Sequence, residues 1–159
     1  EIASCLVGSE MCIRDSRLTA RLGPEAVLWF EPLGSHIPER ASRMAPAAAA
    51  RSDQAWPERI PGGPPLRPLQ MFDPPQPVET LAEVPDGSPL RFRWRRVLHE
   101  VALAEGPERI GGEWWRAPDQ QTRDYYRVED REGRRFWLFR QGLYGETDEP
   151  RWFVHGLFA

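Results

Sequence analysis

The sequence predicts a mainly β chain: a small antiparallel β meander or open barrel at the C-terminus, preceded by a disordered Pro/Ala-rich linker and a short helix–strand remnant. Three observations predict it. Thirteen of the 17 aromatic residues fall after position 77. In LRFRWR, residues 90–95, apolar side chains alternate with arginines, the period of a half-buried antiparallel strand. Eight of the 17 prolines crowd into residues 57–77, where the missing N–H donors and fixed φ argue against helix or central strand.

In chain order, Glu1 to Ser16, EIASCLVGSEMCIRDS, resembles a translated sequencing adapter and is set aside from fold reasoning. With it go Cys5 and Cys12, the only two cysteines, so neither a disulfide nor half of a metal site is read from their spacing. Residues 17–41 look like the end of a larger domain. Leu18 and Leu22 share a helical face, Gly23 suits a C-cap and Pro24 stops the helix. Ala26 to Phe30 then reads as a strand. His36 has no second ligand-type side chain near it in sequence and reads as an ordinary turn residue. Residues 42–77 are expected to be a flexible linker, running through Ala47 to Ala50 and the proline tract. Within it, RPLQMFD presents Leu69, Met71 and Phe72. Apolar residues in a solvated tract often anchor partners, although Gln70 stands too close to Phe72 for a good sliding-clamp peptide. The competing reading docks this segment on the next domain as an edge strand.

Residues 78–159 form the expected aromatic-rich domain. Leu90, Phe92 and Trp94 fall on one face of the first strand and Arg91, Arg93 and Arg95 on the other. Leu98–Ala104, Glu108–Trp115, Tyr125–Glu129, Arg135–Arg140 and Trp152–Leu157 are the further strands, with Asp130 to Gly133 as a hairpin turn. Without a disulfide, a domain of this size needs a dense core to offset chain entropy, and the rings supply it.

Composition narrows function. All 21 Lys+Arg residues are arginine, against 24 acidic residues, for a net charge of −3. Codon usage of a GC-rich genome accounts for the missing lysine ahead of selection for guanidinium, and the acidic balance argues against a strongly basic nucleic-acid binder. No run approaches the ~20 apolar residues of a membrane span, and no basic, apolar leader opens the chain, so a soluble cytoplasmic protein without membrane contact is expected. His99 and His155 are isolated in sequence, the carboxylates follow no metal-ligand spacing, and no nucleophile or phosphate-loop motif occurs. No catalytic residue, metal or cofactor is therefore expected. The candidate partner-binding residues are Leu69, Met71, Phe72, Trp114, Trp115 and Trp152. Arg91, Arg93 and Arg95, interleaved with aromatics, are the candidates for contact with single-stranded DNA.

Three stretches carry a family resemblance. VPDGSPLRFRWRRVLHEVALAEGPERIGGEWW, RDYYRVEDREGRRFWLFRQGLYGE and RWFVHGLFA resemble the C-terminal region of the ImuB family, relatives of the Y-family DNA polymerases. RLGPEAVLWFEP and SHIPERA resemble the end of that family's little-finger domain, and RPLQMFDPPQPVE the lead into its C-terminal region. The resemblance implies a catalytically inactive hub of damage-induced translesion synthesis. Its implied partners are an ImuA-like protein, an error-prone DnaE-type polymerase and the sliding clamp, with DNA touched indirectly or weakly. Palm, fingers and thumb are absent from this sequence, so no polymerase active-site residue carries over. The expected function is a non-catalytic protein-interaction module, with a single-stranded DNA platform as the alternative.

Overall fold

The computed structural model describes residues 13, 16–47, 67–84, 87–143, 145–147 and 149–158. Cys5, Cys12 and most of the adapter-like stretch lie outside the described residues, as do residues 48–66 of the expected linker. The chain divides into two compact units, Glu1–Arg59 and Ile60–Ala159.

In the first unit, residues 16–22 are helical. Gly23 ends the helix with φ +96°, and its N–H donates to the Thr19 carbonyl at 2.9 Å. A left-handed residue is what a helix C-terminus needs to satisfy its last carbonyls. Strand β1, Leu28–Pro32, pairs antiparallel with β2, Ser42–Pro46. The strand expected at Ala26–Phe30 thus lies two residues further on. β2 occupies the start of the stretch read as linker, because pairing with β1 orders a segment whose own pattern, SRMAP, has little strand character. A short 3-10 turn, Pro38–Arg40, joins the two strands, and Arg43 Nε donates to the buried Glu31 carboxylate at 2.6 Å.

The second unit is a closed six-stranded barrel. Its strands are β3 (Gln70–Ala82), β4 (Pro89–Trp94), β5 (Val97–Ile110), β6 (Arg123–Asp130), β7 (Arg135–Gln141) and β8 (Arg151–Leu157). Each pairs antiparallel with the next, and β3 closes the ring against β8. The mainly β expectation holds, and the barrel is closed rather than open. The closing strand is the proline-rich one. β3 carries Pro74, Pro75 and Pro77, against the expectation of a flexible linker here and in the manner of the competing strand reading of RPLQMFD. Proline is tolerated because the β3–β8 ladder shifts register between Met71 and Gln76, spanning Pro74 and Pro75, while β4 pairs with β3 only from Glu79 onward. Proline N atoms therefore meet no donor requirement on the open edge. The longest strand, β5, likewise merges two expected strands. Its first half pairs with β4 and its second half with β6, across register shifts beside Val101 and Glu105. Such bulges bend a strand enough to close a small barrel. Gly106 lies in the second bulge with φ +142°, where a Cβ would meet the Tyr125 carbonyl oxygen at 2.7 Å.

The barrel interior is filled by Phe92, Tyr126, Val128, Phe136, Leu138 and Val154, with Phe72, Trp94 and Trp152 packed against them. Full burial of each large apolar side chain contributes roughly 1.5–3 kcal/mol. The strands β6, β7 and β8 are buried on their outer faces too. There Tyr125 stacks on Trp137 at 4.2 Å and Trp137 on His155 at 5.2 Å, and the Tyr125 hydroxyl lies 2.9 Å from His155 Nδ1. Arg67 covers Trp137 with its guanidinium 4.8 Å from the ring. Leu90, expected inward with Phe92, is instead exposed, since the β3–β4 ladder slips between Leu81 and Ala82 and Pro89 takes the buried position.

Candidate functional site

The meander puts the β4–β5 and β6–β7 turns at one end of the barrel and the other connections at the opposite end. A buried aspartate marks each end, and the two are held differently. Asp124 opens β6 across from Arg140 of β7. Arg140 Nη2 donates to its Oδ2 at 2.8 Å. Arg109, from β5, donates to Oδ1 at 2.7 Å and Oδ2 at 3.0 Å. Burial pushes this carboxyl up, but the hydrogen bonds and charges of Arg109 and Arg140 outweigh it and hold the group below the ordinary 3.8. Charge meets charge here, with Asp124 and Arg140 side chains each 1% exposed.

Asp130 closes β6 at the other end. Its Oδ2 lies 2.9 Å from His99 Nδ1 and accepts from Arg134 Nε at 2.8 Å. Its Oδ1 accepts the backbone N–H groups of Glu132 and Arg134 at 3.1 and 2.9 Å. Burial again acts upward, and the His99 hydrogen bond, then those of Arg134, outweigh it and lower this carboxyl below the ordinary value. An ionised carboxylate only accepts hydrogen bonds, so the His99 proton is assigned to Nδ1. The ring stacks on Phe92 at 4.8 Å and meets the edge of Phe136 at 4.8 Å. His99 Nε2 is buried with no hydrogen-bond partner.

His99 lines a pocket of about 540 Å³ together with Trp94, Arg95, Arg135, Phe136 and Phe158. At its lip the two-residue β4–β5 turn is Arg95-Arg96, both with left-handed φ, 49° and 68°. Arg95 spreads its guanidinium over Trp94, 4.5 Å from the ring centre, and donates from Nε to Gln76 Oε1 at 3.3 Å. His99, Asp130 and Glu132 also bring three ligand-type atoms within 4.8 Å. Arg134 bonds both carboxylates of that group, so its guanidinium already supplies the positive charge a metal would bring.

The structure spreads the sequence-derived candidates over several surfaces. Arg91 and Arg93 stand on the exposed side of β4, paired in register with Leu81 or Glu79 of β3. Arg95 belongs to the turn and not to that row, and Phe92 between them is 1% exposed, out of reach of a stacking base. Met71 and Phe72 are half-buried in β3, Phe72 against Trp94 at 5.8 Å, while Leu69 is fully exposed. Trp152 is half-buried and packs on Tyr126 at 5.4 Å. Trp114 and Trp115 are not in a strand as expected. β5 ends at Ile110 before Gly111 and Gly112, and the pair sits on the following loop, 72% and 56% exposed, ring against ring at 5.8 Å. Sequence reading missed the pairing of His99 with Asp130, because 31 residues separate them and neither belongs to a spaced motif. Among the described residues no helix is long and apolar enough to cross a membrane.

No protein-family model matches the chain, and no solved structure matches it significantly. Among curated proteins, Protein ImuB of Caulobacter vibrioides, from strains NA1000 / CB15N and ATCC 19089 / CIP 103742 / CB 15, is 46% identical over 155 residues. The match takes in 90% of this chain and 32% of the relative, so the chain spans about a third of the length of the curated relatives it matches. Identity at that level over nine-tenths of the chain bears out the resemblance drawn from its motifs, and the chain is related to ImuB over a stretch consistent with the C-terminal region.

Proposed function

We propose that the barrel is a protein-interaction module of a DNA-damage translesion synthesis complex and that Trp114 and Trp115 anchor its partner. The exposure of this pair carries the reading. Two adjacent indoles left in solvent are costly to a lone domain and typical of interface hot spots. Their loop is held in place: Glu113, fully buried, accepts at its carbonyl the N–H groups of Arg116 and Ala117 at 2.8 and 2.9 Å. The Glu113 N–H donates to Gln120 Oε1 at 3.3 Å. A preorganised aromatic pair loses little conformational entropy on docking.

The relation to ImuB supports the setting, and the resemblance supports an ImuA-like protein or an error-prone DnaE-type polymerase as the partner. A sliding clamp is less well served by RPLQMFD, since Met71 and Phe72 are engaged in β3. The full chain carrying Trp114→Ala and Trp115→Ala should lose affinity for the partner by about 2 kcal/mol or more, roughly 30-fold, in a pull-down or calorimetric titration, with its thermal unfolding unchanged. Undiminished capture of both candidate partners contradicts the reading.

A further inference from the structure

We propose that the mouth of the barrel beside the β4–β5 turn is a second docking surface, one that takes an acidic segment of a partner protein bearing a bulky apolar side chain. Trp114 and Trp115 sit on the connection from β5 to β6, at the opposite end of the barrel. This surface therefore does not rest on that one. The mouth has an apolar wall. Val97, Leu157 and Phe158 line a space of about 540 Å³, with Val97 exposed and the other two half-buried. That volume lies in the range of pockets that hold a small ligand and gives room to an anchoring side chain, whose removal from water favours docking.

The rim of the mouth carries positive charge that the fold does not neutralise. Arg131 is paired with Glu100 at 2.7 Å, and Arg134 with Asp130 at 2.8 Å and with Glu132. The carboxylates around the β6–β7 turn are thereby engaged, and among the described residues neither Arg95 nor Arg96 has an acidic partner. Arg95 gives its Nε to a neutral acceptor, Gln76 Oε1. Both arginines are exposed and both sit at left-handed φ, where Asn-Gly is the favoured pair in a two-residue hairpin. Two arginines so placed cost stability, and a docked carboxylate offsets that cost, because a guanidinium binds it through two parallel N–H donors.

A protein segment fits this surface better than a nucleic acid does. Trp94 has Arg95 over one face, 4.5 Å from the ring centre, and packs on Phe72, His99 and Phe136, so it offers no bare ring for a base to stack on. Arg93, the next arginine back along β4, is paired with Glu79 at 3.6 Å. The two unpaired guanidiniums thus stand as an isolated couple and not as a row that follows successive phosphates. A short cluster of aspartates or glutamates beside one apolar anchor matches both the couple and the wall.

The test is fluorescence anisotropy of the full chain with a labelled peptide in which aspartates flank a single phenylalanine. Its controls are the same peptide with asparagine for aspartate, the same peptide with alanine for phenylalanine, and a labelled oligothymidylate. The native chain should bind the acidic peptide more tightly than any of the three. The double variant Arg95→Asn/Arg96→Gly should bind it about tenfold more weakly while melting no lower than the native chain, since Asn-Gly relieves the turn. Phe158→Ala, which trims the apolar wall, should bind it about fivefold more weakly. The double variant Trp114→Ala/Trp115→Ala should bind it as the native chain does, which keeps this test separate from the reading of the indole pair. Absence of binding, equal affinity for the asparagine peptide, or undiminished binding by the turn variant overturns the proposal. So does an oligothymidylate that binds more tightly than the acidic peptide and is lost in the turn variant, which would give the mouth to a nucleic acid. Loss of the peptide in the Trp114/Trp115 variant also overturns it, by reducing two surfaces to one.

Discussion

The two ends of the barrel use the same residue type for opposite purposes. At one end Asp124 is met by two guanidiniums, and Arg109 and Arg140 take both of its oxygens. At the other, Asp130 is equally satisfied but spends one of its bonds on orienting His99, whose second nitrogen is buried without a hydrogen-bond partner. A buried carboxylate paired only with arginine serves the fold. A buried carboxylate that fixes a histidine tautomer leaves a directed acceptor behind, as the second shell of many sites does. The difference teaches that burial and a lowered carboxyl do not by themselves mark a site.

Breaking the structural end gives the largest expected effect. Asp124→Ala leaves Arg140, 1% exposed, without its counter-charge. Removing one partner of a buried pair costs about 3–5 kcal/mol, partly relieved here because Arg109 is mostly exposed and turns to solvent. Urea unfolding measures it. A loss below 1 kcal/mol would mean the pair is not buried as described.

Acid follows in size and separates the ends. Asp124 and Asp130 both have lowered carboxyls. Their stabilisation is therefore fully present above the ordinary aspartate value of about 3.9 and is lost as pH falls through the lower folded-state values. Unfolding free energy should stay level above that value and decline below it. In His99→Phe, Asp130 loses a hydrogen bond that lowers it, so the acid decline should be smaller and level off at higher pH, while the Asp124 contribution stays in place. An acid limb identical to that of the native chain counts against the His99–Asp130 bond.

At neutral pH His99→Phe should change stability by only about 1 kcal/mol. It removes one bond from a carboxylate that keeps three other donors, and it also removes an orphaned nitrogen. The smallest effect has the reverse sign. Arg95→Asn/Arg96→Gly should stabilise the chain by about 1 kcal/mol by relieving two left-handed arginines, read as a higher midpoint in urea. A destabilised turn variant would mean that contacts of Arg95 with Trp94 and Gln76 outweigh the strain.

Much of the fold is legible in the sequence, and the illegible parts share a cause. The strands at Tyr125–Glu129, Arg135–Arg140 and Trp152–Leu157 appear as β6, β7 and β8, with the turn after Asp130 between the first two. Their signals are local: alternation, β-branched or aromatic residues, and Gly133 at φ +78°. β3 is legible only as the competing edge-strand reading of RPLQMFD, because proline's local cost is cancelled by a break in the β8 ladder and by an edge that β4 leaves open, both facts of tertiary pairing. β5 reads as two strands because its bulge at Gly106-Pro107 imitates a turn. The Trp pair is legible as a candidate anchor, though not as a loop. The His99 pocket is not legible at all: its walls come from β4, β5, β7 and the end of β8, and only barrel closure brings them together.

The assignment of the two ends rests on the His99 ring, and nitrogen-resolved NMR of that ring in the full chain tests it most directly. Nδ1 should carry the proton facing Asp130 and Nε2 should be bare. A proton on Nε2 with none on Nδ1 would contradict the account.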